Sequence, residues 1–456
     1  MTELATLVCA VGIAVLFWLD RDSASDVSRA LWLPFAWMFL AGSRMVTEWL
    51  YPGAPEATDV LYDGSPVDRF VVSALLVLGL AVLIRRAPRV NAILRANWPI
   101  LLFFAFAAFS VVWSDFPDVA IKRWIKACGN VVMVLVVLTE ANPAAAVKRL
   151  FARLAFVLLP LSILLIRYYP SLGRGYHEYS WQTFYSGVAT GKNGLGYICL
   201  VLGLASAWRL LETRRWRWST EDWTDAGVTP AAMRQTRHRI LLAHGIVLAF
   251  ALWLFRLSDS VTPLVCCIVA TTLMMVAGSQ ALARRPTGLH VVFVTALLVL
   301  LPGWVMFDVF TEAFGRDTTL TGRTELWRVI LRVAGDPMLG SGFESFWLGD
   351  RMQQIGNMYW WRPNQAHNGY LEIYLNLGLI GVALLGLVVV RGYSSVIRTL
   401  HYDPEFGRLK LGFLTAAVLY NLTEAAFKGM HLVWIAFFFA TIHVPWRTSE
   451  TSEPTR

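Results

Sequence analysis

Two polar stretches of the chain carry side chains able to move protons and hold anions. In "QAHNGYLEI" (365–373), His367 and Asn368 stand where a polar segment turns into an apolar run reaching about Val390. A helix N-terminus disfavours the imidazolium, which leaves a neutral ring able to take a proton. In "LTGRTELWRVILRVAGDPMLGSGFESF" (320–346), Arg323 offers a guanidinium fork that matches phosphate oxygens. Its spacing predicts a helix that stops at Gly335-Asp336-Pro337. At about 100° per residue, Leu326, Val329, Ile330 and Val333 share a face with Trp327, while Glu325, Arg328 and Arg332 point away. Arg323 falls on the apolar arc in the first turn, where unpaired backbone N–H groups and the helix dipole favour an anion. Taken alone, Arg323 fits a phosphate contact or a structural ion pair, and a single histidine at a helix lip is more often a cap or a packing residue.

The elements that must position these residues are membrane helices. The chain has 456 residues, is 56% hydrophobic and only 16% charged, and contains 20 Trp. Apolar runs of about 17–25 residues read as spans. They fall near 3–19, 29–50, 68–84, 97–113, 119–139, 147–166, 193–210, 240–256, 261–281, 290–308, 368–391, 408–427 and 430–446. The expected fold is an all-α polytopic integral membrane protein, with about 12–13 transmembrane helices and one large, partly helical outer loop. No separate soluble domain fits, so 1–456 reads as one transmembrane domain. The N-terminus lacks a basic region and a small-residue cleavage site, so 3–19 reads as a first span. Cys9, Cys128, Cys199, Cys266 and Cys267 all lie in apolar runs without metal-ligand spacing, which fits helix packing.

Basic loops stay in the cytoplasm. With these spans, 85–95, 148–153, 209–239, 283–285 and 391–410 all fall on one side. The opposite side, the periplasm of a bacterium, receives 51–67, 114–118, 167–192 and the long segment 309–367. A structureless loop of that length is improbable, so 309–367 is expected to be folded and functional. The outer side also carries Lys122, Arg123, Lys126, Arg167, Arg174, Lys192, Arg256, Arg316 and Arg323, against the orientation rule. An anion such as phosphate on that side accounts for them; snorkelling of single side chains is the plainer reading of each.

One motif misleads. "GVATGKNG" (187–194) resembles a nucleotide phosphate loop but has one residue too few between its glycines, and Asn193 where Ser or Thr should hold magnesium. What survives is Lys192 at a span's N-terminus, a candidate phosphate contact. Intramembrane charges have local readings as well. Arg44 with Glu48, and Glu424 with Lys428, are spaced i, i+4 and fit local pairs. Glu424 and Lys428, near an outer helix end, also fit acceptor binding. Glu372, about one turn below His367, is placed to orient it or stabilise its charge.

"TGRTELW" (321–327), "DPMLGSGFESF" (336–346) and "AHNGYLEIYLNLGLIG" (366–381) together resemble the O-antigen ligase/polymerase family of bacterial envelope enzymes. "GKNGLG" (191–196) and "SDSVTPL" (258–264) fall where that family has comparable segments, so the resemblance spans roughly 185–385. It implies a glycosyltransferase of the bacterial inner membrane that moves a glycan from undecaprenyl pyrophosphate to an acceptor sugar, outside the membrane and without a metal or other cofactor. In that implied scheme Arg323 holds the donor pyrophosphate and His367 acts on the acceptor hydroxyl. The family often has a basic residue in the segment where this chain has Asp259, which leaves Lys192, Arg123, Arg167 and Arg256 as candidates for the second phosphate contact. Asn368, Glu372 and Trp327 are further candidates for substrate contact. The closest motif likeness is to members that polymerise exopolysaccharide repeats; a ligase acting on lipid A core is the alternative, and a lipid-linked glycan flippase a third. The implied partners are the lipid-linked donor, a glycan acceptor and membrane lipids, with no nucleic acid; the sequence leaves open whether a flippase or chain-length regulator works alongside.

Overall fold

The computed structural model describes residues 1–21, 27–52, 64–176, 182–215, 229–279, 321–359 and 361–445. The span read at 290–308, the basic loop 283–285, Arg316 and the first part of the outer segment, 309–320, lie outside the described residues. The first half contains α1 (Thr2–Leu19), α2 (Trp32–Gly42), α3 (Val46–Leu50), α4 (Pro66–Arg85), α5 (Ala87–Ala96), α6 (Trp98–Phe109), α7 (Pro117–Leu138), α8 (Pro143–Tyr168) and α9 (Pro170–Gly173). A hairpin, β1 (Arg174–Tyr176) and β2 (Thr183–Tyr185), follows, with Arg174 opposite Tyr185. Then come α10 (Lys192–Arg214), α11 (Pro230–Ser258), α12 (Val261–Val276), α13 (Thr321–Arg332), α14 (Gly349–Met358), α15 (Gly369–Tyr402), α16 (Pro404–Thr423) and α17 (Leu432–Thr441). The all-α polytopic class is as the hydropathy implied.

Helix starts follow local chemistry. Pro66, Pro117, Pro143, Pro230 and Pro404 open their helices, where a missing N–H leaves no bond unmade. Asn142, Thr229, Asn368 and Asp403 cap theirs with side-chain oxygens. Among the described residues, six helices, α1, α4, α8, α10, α11 and α15, are long and apolar enough to cross a membrane. The bent pair formed by α5 and Trp98–Trp113, broken by 86°, gives a seventh. Among the described residues this is fewer than the sequence reading of about 12–13 spans, one of which, 290–308, lies outside them. The run 29–50 breaks into α2 and α3, while α12 and α17 are short. Helix α7 carries Lys122, Arg123 and Lys126, and α16 carries Arg408 and Lys410.

Polar contacts gather at two opposite ends of the bundle. At one, Lys148 and Arg209 both pair with Glu212, the indole of Trp208 donates to the Glu405 carbonyl at 2.6 Å, and Arg86 meets Glu140 at 2.7 Å. These contacts join the basic segments that the charge rule assigns to one side. Between the ends, α10 packs on α11, and α16 on α12, α15 and α17, around buried Phe151, Phe413, Phe437, Phe438 and Phe439.

The other end carries the segment 321–368. It has its own small core of Leu326, Ile330, Phe346, Ile355, Ala366 and Leu375, against which Trp327, Val329 and Val333 pack. The described part of the long outer segment is therefore folded, with Glu325, Arg328 and Arg332 exposed as the helix period required. A backbone junction fastens it to the bundle. Helix α15 is interrupted at Gly378 (φ 62, ψ −165), and the turn 336–342 enters the break. Ser341 and Gly342 donate to the Leu375 and Asn376 carbonyls at 3.0 and 2.9 Å, and Leu379 donates to Pro337 at 2.9 Å. Backbone groups freed by the kink thus find partners in the turn, as an interrupted membrane helix requires.

Candidate functional site

Arg323 and His367, 44 positions apart in sequence, converge on one carboxylate. Arg323 Nη2 lies 3.3 Å from Glu424 Oε1, and its Nη1 donates to the Thr423 carbonyl at 2.7 Å. His367 Nδ1 lies 3.3 Å from the other oxygen, Glu424 Oε2. Glu424 is buried, with its side chain 8% exposed, whereas those of Arg323 and His367 are 16% and 20% exposed. Charged groups buried in this way persist only when paired.

Helix geometry explains why Glu424 faces these two and not Lys428. The i, i+4 pair anticipated for them needs a continuous helix, but α16 stops at Thr423 and Glu424 is already extended. Lys428 instead donates to Gln365 Oε1 at 2.6 Å, and Gln365 Nε2 lies 3.5 Å from His367 Nδ1. The Arg44–Glu48 pair is likewise not set by helix period, although the Glu48 charge acts favourably on Arg44. Helix α2 ends at Gly42, Arg44 donates to the Leu172 and Ala189 carbonyls, and Glu48 accepts from Met45 N.

His367 sits in the left-handed region (φ 51), a conformation that costs about 1–3 kcal/mol unless its surroundings impose it. They do. The Ala366 carbonyl accepts from Trp327 Nε1 at 2.8 Å, and the Ala366 N–H donates to the Glu372 carboxylate. On the other side, Asn368 caps α15 through Tyr370 N and Leu371 N and donates to the Leu422 carbonyl at 3.0 Å. Trp327, Asn368 and Glu372, read from the sequence as substrate contacts, thus hold the backbone on either side of His367. Glu372 also accepts from Trp347 Nε1 at 3.0 Å, so Glu424, not Glu372, is the carboxylate at the imidazole.

The upstream motifs form the floor beneath Glu424. Asn193, next to Lys192, donates to Glu424 Oε1 at 3.3 Å and accepts from Ser260 at 3.5 Å. A Cβ on Gly196 would lie 2.8 Å from Pro263, so "GKNGLG" and "SDSVTPL" need each other to pack. Of the other cations weighed from the sequence, half-buried Lys192 is brought near the site through Asn193. Arg123 donates to the Glu344 carbonyl, exposed Arg167 stacks over Trp253 at 5.2 Å, and Arg256 is exposed at the end of α11. Sequence reasoning missed Glu344, whose Oε1 accepts from Gly429 N at 2.6 Å, and Trp361, whose ring centre is 6.3 Å from that of His367. Glu344 lies in a recognised motif, but no local period marks a partner 85 residues away.

The arrangement places a guanidinium and an imidazole side by side at the end of the helix bundle opposite its basic segments. Residues 233–386 match the family model described as O-antigen ligase. The chain is also 25% identical over 362 residues to the exopolysaccharide production protein ExoQ of Rhizobium meliloti (strain 1021), a stretch covering 74% of this chain and 75% of that protein. Together the matches bear out the resemblance to an O-antigen ligase/polymerase-like family, and a multi-pass membrane enzyme concerned with polysaccharide.

Proposed function

We propose that the chain is a membrane glycosyltransferase that polymerises undecaprenyl-pyrophosphate-linked oligosaccharide repeat units into exopolysaccharide or O-antigen, at the periplasmic face of the inner membrane. The observation that carries this reading is the convergence of Arg323 and His367 on Glu424, at the end of the bundle opposite its basic loops. A pyrophosphate is already a good leaving group, so no carboxylic acid is required to protonate it, unlike glycoside hydrolysis. What the reaction needs is a cation on the developing charge and a base for the attacking hydroxyl. Arg323 supplies the first, with Lys192 the best placed of the remaining cations for a second phosphate contact. His367 supplies the second. The acceptor oxygen bonds to the anomeric carbon as the bond to the pyrophosphate breaks, and direct attack inverts that carbon. Guanidinium and ammonium groups do the work of a metal. Placement at the lip of α15 suits a lipid-linked donor, whose reactive carbon stands at membrane-surface height, and Trp361 offers a flat face for a sugar ring beside His367.

The name of the Rhizobium relative, an exopolysaccharide production protein, favours polymerisation. The description of the matched family favours the second reading, a ligase that moves finished glycan onto lipid A core. A transporter would be expected to bind its cargo near mid-membrane between repeated halves, and here the unusual residues cluster at one surface. The test is the lipid-linked glycan profile of cells whose sole copy is wild type, Arg323→Ala or His367→Ala. Single repeat units accumulating on lipid with loss of long polymer support the polymerase; long chains left unattached to core identify a ligase. Unchanged polymer length and quantity in both variants would overturn the site.

A further inference from the structure

We infer that Glu424 is the positioning residue of the transfer step, holding His367 with its proton on Nδ1 so that Nε2 is the atom that accepts the acceptor's proton. The inference rests on the transferase reading above and names a residue to which that reading gives no role. Two groups approach His367 Nδ1: Glu424 Oε2 at 3.3 Å, which as a carboxylate only accepts, and the Gln365 amide Nε2 at 3.5 Å, which only donates. The shorter, charge-assisted contact is the stronger, and with it Nδ1 donates to Glu424. That leaves the ring's lone pair on Nε2. Glu424 is itself fixed from several sides. Its Oε1 meets Arg323 Nη2 and Asn193 Nδ2, both at 3.3 Å, and its backbone N–H donates to the Tyr420 carbonyl at 3.0 Å. Asn193 is turned the right way by Ser260, which donates to the amide oxygen and leaves the NH2 group for Glu424. The carboxylate therefore sets base and phosphate clamp at one spacing, through one buried side chain.

In the step itself, the acceptor O–H proton passes to His367 Nε2 as the oxygen bonds to the anomeric carbon. The pyrophosphate leaves with the electron pair of the broken C–O bond, next to Arg323. The imidazolium so formed keeps its Nδ1–H on Glu424, whose negative charge stabilises it without taking the proton. A histidine oriented by a buried carboxylate serves serine hydrolases in the same way.

The test uses the full-length chain in lipid nanodiscs with a polyprenyl-pyrophosphate-linked oligosaccharide as donor. Glu424→Gln keeps the size; with Arg323 Nη2 and Asn193 Nδ2 holding the amide oxygen in the Oε1 position, its NH2 faces Nδ1 and favours the Nε2–H tautomer. Turnover is expected to fall on the order of 10²–10⁴-fold, with the donor KM within about threefold of wild type, a tenfold KM change corresponding to about 1.4 kcal/mol of binding. Glu424→Asp should recover part of the turnover. Nitrogen-15 spectra of histidine-labelled protein should show His367 protonated on Nδ1 in wild type and not in the Gln variant. A purely structural carboxylate would instead raise KM and leave the tautomer alone. Retained turnover in Glu424→Gln beside an inactive His367→Ala, or an Nε2–H tautomer in wild type, overturns the inference and leaves the transferase reading intact. Full turnover in His367→Ala overturns that reading itself. Should the Gln variant fail to fold, the wild-type spectrum still decides.

Discussion

His367 keeps a strained backbone because neighbours on both sides leave it no other choice. The Ala366 carbonyl is held by the Trp327 indole at 2.8 Å and the next residue, Asn368, is committed to capping α15. On the proposed mechanism, strain of this kind arranges His367 in advance of substrate. Trp327 is therefore expected to matter for rate through geometry, without touching either substrate. Trp327→Phe retains the ring packed against Leu326 and Ile330 but deletes the N–H, leaving the carbonyl beside His367 unanchored. Losing one such bond is worth about 1 kcal/mol, so turnover should fall roughly five- to tenfold while the unfolding temperature moves little. Steady-state kinetics and thermal unfolding on one preparation check both halves, and a variant as fast as wild type would remove Trp327 from the account.

At the scale of elements, two motif segments that look like chemistry in the sequence are largely joinery. "DPMLGSGFESF" and "YLNLGLIG" meet where the turn 336–342 enters the break in α15. Gly378 (φ 62, ψ −165) occupies a region open in practice only to glycine, and a Cβ there would lie 2.2 Å from the Met338 backbone. Gly378→Ala should cost well over 2 kcal/mol and abolish the folded monodisperse protein in detergent. Gly386, eight residues on in the same helix, has nothing within 4 Å of the equivalent position. Gly386→Ala should be neutral, or stabilising by up to about 1 kcal/mol through helix propensity. Size-exclusion profiles and unfolding temperatures of the pair provide the check, and equal behaviour would mean that the junction does not hold the outer segment.

The same junction shows where legibility in the sequence ends. The face of α13 that buries Leu326 and Ile330 and turns Arg323 inward followed from a 3.6-residue period, because that signal is local. The break in α15 did not, since a glycine inside an apolar run looks like any helix glycine until the turn that fills the gap is known. Nor did the partner of Glu424, because a helix end at Thr423 removed the geometry that made Lys428 its nearest neighbour on paper.

At the scale of the whole molecule, buried polar contacts fasten the end of the bundle opposite the candidate site. Buried Glu140, in the link between α7 and α8, ties three distant segments there. It accepts from the Ser28 backbone and hydroxyl and from Arg86, which itself donates to the Val136 carbonyl. Burial pushes the Glu140 carboxyl up, but the bonds from Ser28 and Arg86 outweigh it and hold the group below its ordinary value. A carboxylate depressed in the folded state binds fewer protons folded than unfolded, so its contribution is complete above the unfolded pKa of about 4.3. That contribution is lost as pH falls through the lower, folded value. Glu140→Gln should therefore unfold at a lower temperature than wild type at pH 7, with the gap narrowing as the pH drops below about 4. Because Arg323, His367 and Glu424 lie at the far end, the same variant should retain wild-type turnover at pH 7 once folded. A gap that stays constant with pH would show that Glu140 acts through packing alone, and a loss of turnover in folded protein would show that the two ends of the bundle are coupled.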